Sequence, residues 1–175
     1  MVTVVGIDPG LSGALAFIHV SGEVALEDIP VIAIASGAVR RRVDGALLKA
    51  MLLRHCPPAE PVRIFCEDIA VAMGGQGSAA MTMVSLGRTL GAIEGVTDAL
   101  RMPLRLVAPK EWKGLYGLKG KSKDDAGRGK GELPKAMLLA RRLYPQAIPM
   151  LERVKDADRA EALLIAHFGK RMILE

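Results

Sequence analysis

The chain has 175 residues, half of them apolar and a quarter charged, with a net charge of +5. Its length suits one well-buried domain better than two, and its composition excludes a disordered chain. No run approaches the roughly 20 uninterrupted apolar residues of a membrane span, and no basic-then-apolar leader opens the sequence, so a cytoplasmic protein without a membrane partner is expected. Cys56 and Cys66 are the only cysteines; lacking metal-ligand spacing, they read as buried reduced thiols rather than a disulfide.

In chain order, Val2–Ile7 is a β-branched strand ending at the turn Asp8-Pro9-Gly10. Ala14–Val20 is a second strand, Ser21-Gly22 a tight turn, and Val24–Ile29 a third strand with Val24 and Leu26 inward. Asp44–His55 is a helix with Leu47, Leu48, Met51 and Leu52 on one face, stopped by Pro57-Pro58. Val62–Cys66 is a buried strand leading into Glu67-Asp68. Residues 71–78 form a glycine-rich loop, and Ser78 caps a long helix to about Leu100. Leu104–Val107 is a strand, Pro109–Tyr116 a short helix, and 117–131 a basic flexible loop. Leu133–Tyr144 is a helix with Pro134 in its first turn, and the last helix runs from about Asp156 to Lys170. Three antiparallel strands, then strands alternating with helices, predict one α/β domain over 1–175: a mixed five-stranded sheet flanked by helices.

Four acids stand at particular addresses in this order. Asp8 ends the first strand where Pro9 cannot extend a ladder and Gly10 permits an unusual turn. Glu67 ends the strand that starts at Val62. Asp158 and Glu161, three apart at the start of the last helix, share one helix face. Clustered carboxylates repel, and hard divalent cations such as Mg²⁺ or Mn²⁺ resolve that conflict through oxygen ligation. Each acid also has a plain reading: a turn former at Asp8, a solvated edge at Glu67, and helix-dipole partners at Asp158 and Glu161.

Charge placement points to a polyanionic partner. Residues 110–130 carry Lys110, Lys113, Lys119, Lys121, Lys123, Arg128 and Lys130 against Glu111, Asp124 and Asp125, a local excess of four. Such a concentration suits nucleic-acid phosphates, and equally a solvated loop. The glycine-rich loop offers Gly75, Gln76 and Ser78 as further DNA contacts.

Gly87, Gly91 and Gly95 recur every four residues, lining one helix face without side chains. That face either packs inside the domain or contributes to a dimer seam. Trp112 is a core anchor or a base-stacking platform. His19, His55 and His167 have no mutual spacing suited to catalysis.

The segments Val5–Ala14, Phe65–Asp68, Gly74–Gly95, Val107–Lys113 and Asp158–Ala166 together make the chain resemble the RuvC-type Holliday-junction resolvases, in a phage or prophage branch. The resemblance implies a ribonuclease-H-like fold and a homodimer acting on branched DNA, four-way junctions above all, with no nucleotide cofactor. It implies a structure-selective endonuclease that hydrolyses phosphodiester bonds with two Mg²⁺ or Mn²⁺ ions per site. The metal-binding and catalytic acids then fall on Asp8, Glu67, Asp158 and Glu161, with Asp156 competing for the third place.

In one respect the chain departs from the pattern. Related enzymes often carry an aromatic shortly after the strand-end acid, where this chain has Ile69-Ala70-Val71-Ala72. A broader debranching nuclease and an inactive junction-binding protein therefore stand as alternatives. An actin-like or sugar-kinase-like ATPase also opens with such a turn, but needs a second nucleotide-binding half.

Overall fold

The computed structural model describes residues 2–35, 41–68, 80–118, 129 and 132–175. The strands are β1 (Thr3–Asp8), β2 (Ala14–Ile18), β3 (Val24–Asp28), β4 (Val31–Ala33), β5 (Arg41–Val43), β6 (Val62–Glu67) and β7 (Leu104–Val107). The helices are α1 (Gly45–His55), α2 (Ala80–Ala99), α3 (Pro109–Leu115), α4 (Lys135–Leu143) and α5 (Ala157–Leu174), with 3-10 turns at Pro145–Met150 and Val154–Asp156.

The main sheet has the order β3-β2-β1-β6-β7, antiparallel among its first three strands and parallel from β1 to β7. This is the five-stranded mixed sheet that the sequence predicts. A short hairpin of β4 and β5 stands apart from it, missed in the sequence because its three-residue strands are too brief to show alternation. Leu48, Met51 and Leu52 of α1 are buried as expected, but Leu47 is 57% exposed; the apolar stripe is narrower than its sequence suggests. Pro134 is the N-cap of α4 instead of a residue of its first turn, with an extended ψ of 149°. Both cysteines are buried and unpaired.

Two cores cover the two faces of the sheet. Val5, Ile7, Leu15, Phe17 and Ile64 meet α1 and α2 on one side. Val4, Ala16, Ile18 and Phe65 meet α5 and α4 on the other. Helix α5 packs most extensively against β1, and Gly6 shows why this is possible. A Cβ at Gly6 would lie 2.1 Å from the Ala162 carbonyl and 2.3 Å from the Ala166 nitrogen. Only a residue without a side chain lets the helix backbone come so close.

Helix α2 buries Thr89, Ile93 and Thr97, while Gly87, Gly91 and Gly95 lie on its exposed side. No described residue comes within 4 Å of a Cβ built on any of the three. Among the described residues, nothing packs on the glycine face. Among the described residues no helix is long and apolar enough to cross a membrane.

Candidate active site

Parallel pairing of β1 with β6 puts Ile7 opposite Cys66, which leaves Asp8 and Glu67 side by side at the carboxyl ends of the two strands. Side chains alternate along a strand. Since Val4 and Phe65 face the α5 core, Gly6, Asp8 and Glu67 point to that same face. The turn after Asp8 is tight: a Cβ at Gly13 would lie 2.0 Å from the Asp8 carbonyl oxygen.

Helix α5 brings the other two acids. Its start lies over the carboxyl end of β1, since its last residues, Ile173 and Leu174, line a cavity with Val2 and Val4 at the opposite end. Ala162 sits against Gly6. One helical turn back from Ala162, about 6 Å, is Asp158; two strand residues on from Gly6, about 7 Å, is Asp8. The two displacements run the same way, so Asp158 lies towards the same end of the sheet as Asp8. Glu161 is 4% exposed.

A cation joins this group from α3, the short helix that follows β7. Lys113 Nζ lies 3.3 Å from Glu67 Oε1 and 3.3 Å from Glu161 Oε2. Burial lowers the lysine pKa, but the two carboxylates outweigh burial and hold it above its ordinary value. Trp112 is fully buried, and its indole Nε1 donates to Glu67 Oε1 at 3.1 Å. The Lys113 ammonium also lies 4.8 Å from the centre of that ring, within cation–π range. Trp112 is thus the core anchor of the two readings, with a polar duty added. Burial chiefly, and then Asp8 and Glu67, push the Cys66 thiol well above its usual pKa.

Asp156 is engaged elsewhere. Its Oδ2 accepts from the Arg153 backbone N–H at 2.9 Å and from Nε at 3.2 Å, and its Oδ1 accepts from Nη2 at 2.8 Å. Those guanidinium hydrogen bonds hold its carboxyl below the usual range. Next to Asp158, Arg159 grips Asp28 with two hydrogen bonds, 2.6 and 2.9 Å, tying the first turn of α5 to the end of β3. The sequence hints at the first pair, an arginine three residues before an acid. It gives no hint of the second, which spans 131 positions.

Of the expected DNA contacts, Lys110 is exposed on α3, and Lys113 lies within the carboxylate group. Gly75, Gln76, Ser78, Lys119, Lys121, Lys123, Arg128 and Lys130 lie outside the described residues. So do the aromatic-free positions 69–72, most of the basic loop, and the cap at Ser78.

Among the described residues, no three His, Cys, Asp or Glu side chains are gathered closely enough to hold a metal as they stand. Lys113 provides a physical reason, since its ammonium takes up the space between Glu67 and Glu161. The donor chemistry still fits a hard cation: carboxylates of β1, β6 and α5 lie at one end of the sheet, and Glu67 and Glu161 already share a positive partner.

The same architecture occurs in solved structures. T. thermophilus RuvC in complex with Holliday junction substrate superposes with a TM-score of 0.56 at 18% identity, covering 98% of this chain and 96% of that one. The chain has the fold of the RuvC-type resolvases. In sequence, it is 35% identical over 165 residues to the chloroplastic Holliday junction resolvase MOC1 of Chlamydomonas reinhardtii. That match takes in 82% of this chain but spans only 17% of the relative's length. No protein-family model matches the chain.

Proposed function

We propose that this RuvC-like chain is a divalent-metal-dependent endonuclease that resolves four-way DNA junctions. The reading is carried by the pairing of β1 with β6, which sets Asp8 beside Glu67, and by Lys113, which bridges Glu67 to Glu161 of α5. Support comes from the 35% identity to a protein named as a Holliday junction resolvase, and from the shared fold with a RuvC bound to such a junction.

Asp8, Glu67, Asp158 and Glu161 would hold two Mg²⁺ or Mn²⁺ ions. Asp158 suits the third place better than Asp156, whose two oxygens are both committed to Arg153. What the bound ions supply is a water made nucleophilic at neutral pH and a stabilised leaving oxygen. The protein does the rest by position. Gly6 lets α5 close on β1 and so sets Asp158 at the same end of the sheet as Asp8. Arg159 fixes the first turn of α5 through Asp28. Lys113 holds Glu67 and Glu161 together against their mutual repulsion, and its ammonium is the nearby cation that can hydrogen-bond a phosphate oxygen. Lys110, exposed on the same short helix, contacts the DNA backbone.

The open glycine face of α2 supports a homodimer, with exposed Met83 and Val84 beside it. A two-fold pair of sites matches the symmetry of a four-way junction. Gly91→Trp should convert a dimer to a monomer in light scattering; an unchanged mass in both proteins at the dimer value would contradict this seam.

A comparison of four-way, three-way and linear duplexes, each with and without Mn²⁺, tests the function. A junction resolvase should make Mn²⁺-dependent paired cuts in the four-way junction and cut the linear duplex little. Equal cutting of three-way and four-way DNA would favour the broader debranching activity. Tight junction binding without cutting would favour the inactive junction-binding protein.

A further inference from the structure

We infer that Trp112 is a positioning residue for the metal-binding carboxylate Glu67, an inference that rests on the function proposed above. The indole N–H points at one carboxylate oxygen, Oε1, at 3.1 Å from a fully buried ring. A buried indole cannot turn away without breaking the core that surrounds it, a cluster that also holds Val107, Met137 and Leu164. Its donor is therefore fixed in direction, unlike that of a flexible lysine.

The second donor to Oε1 is Lys113. A divalent cation repels that ammonium, so the lysine contact weakens when the site is charged with metal. The neutral indole N–H feels far less repulsion and stays. It keeps Oε1 occupied and the carboxylate plane set, so that Oε2 is the oxygen presented to a cation. Hydrogen bonds of this kind, one shell outside a metal, typically change its affinity by 10–100-fold. The face of the same ring supports the Lys113 ammonium, so one tryptophan steadies both partners of the Glu67 pair.

Two measurements test the inference on the intact protein. Trp112→Phe keeps an aromatic ring and deletes the donor. Calorimetric titration with Mn²⁺ should show binding weakened roughly 10–100-fold, with junction affinity in metal-free buffer unchanged. Equal Mn²⁺ affinity in variant and wild type overturns the inference and leaves the nuclease reading intact. A wild type that binds no divalent cation overturns that reading itself, and the inference with it. The second measurement needs no variant at position 112. Trp112 is the sole tryptophan, so emission excited at the red edge, where tyrosine does not absorb, reports this indole alone. Mg²⁺, which is not itself a quencher, should change the emission with the midpoint that a calorimetric titration with Mg²⁺ gives, and Glu67→Gln should abolish the change. Flat emission across a range where calorimetry records binding contradicts the role assigned to Trp112.

Discussion

Lys113 Nζ stands 3.3 Å from Glu67 and 3.3 Å from Glu161, so one side chain from α3 ties the end of β6 to the second turn of α5. Without it, two largely buried carboxylates would face each other across a region of low dielectric. The lysine does for the metal-free protein what a divalent cation would do for the charged one.

Lys113→Met should therefore lower stability in metal-free buffer by about 1–3 kcal/mol, since two largely buried carboxylates lose a hydrogen-bond donor. Added Mn²⁺ should restore much of the loss by ligand linkage. Thermal unfolding with chelator and with Mn²⁺ checks this; a variant as stable as wild type under chelation would contradict the bridging role.

Gly6→Ala should separate α5 from β1. The new methyl would meet backbone atoms of Ala162 and Ala166, which cannot move aside as a side-chain tip can. Overpacking of this kind costs about 1–3 kcal/mol, sometimes more. Cleavage should fall further than stability, because Asp158 and Glu161 ride on the displaced helix. Circular dichroism melts and cleavage rates on one preparation check both; wild-type activity in a destabilised variant would break the link between packing and site.

Most of this arrangement was legible in the sequence, for physical reasons. Asp8 could be placed because Pro9 and Gly10 stop a strand wherever they occur, and Glu67 because the apolar run from Val62 ends there. Period-3.6 spacing put Asp158 and Glu161 on one face. What the sequence could not reveal were contacts between distant positions. Lys113 read as one more cation in a basic segment, because nothing local shows that α3 starts at the strand beside Glu67. Trp112 was ambiguous for the same reason, since its partner lies 45 positions away. The glycine face of α2 needed the structure to show its outward direction, as a stripe of glycines has no apolar side to read.

His167 carries a pH dependence of stability. Burial chiefly, then Arg171 and Lys170, lower its pKa below the usual 6.5, and its Nδ1 lies 2.7 Å from the Tyr144 hydroxyl. In the unfolded chain it protonates near 6.5, while the folded protein resists. Its contribution is thus fully present above about pH 6.5 and is lost as pH falls through the lower folded value. Unfolding of wild type and His167→Gln across pH 8 to 5 should show a smaller acid loss in the variant. Parallel curves would contradict this account.

The most direct test of the nuclease reading is cleavage of an end-labelled four-way junction by wild type and by Asp8→Asn, with Mn²⁺ and with chelator. Only wild type with Mn²⁺ should cut, while Asp8→Asn binds the junction as tightly and leaves it whole. Cutting by Asp8→Asn at the wild-type rate, or none by wild type with Mn²⁺, would contradict that reading.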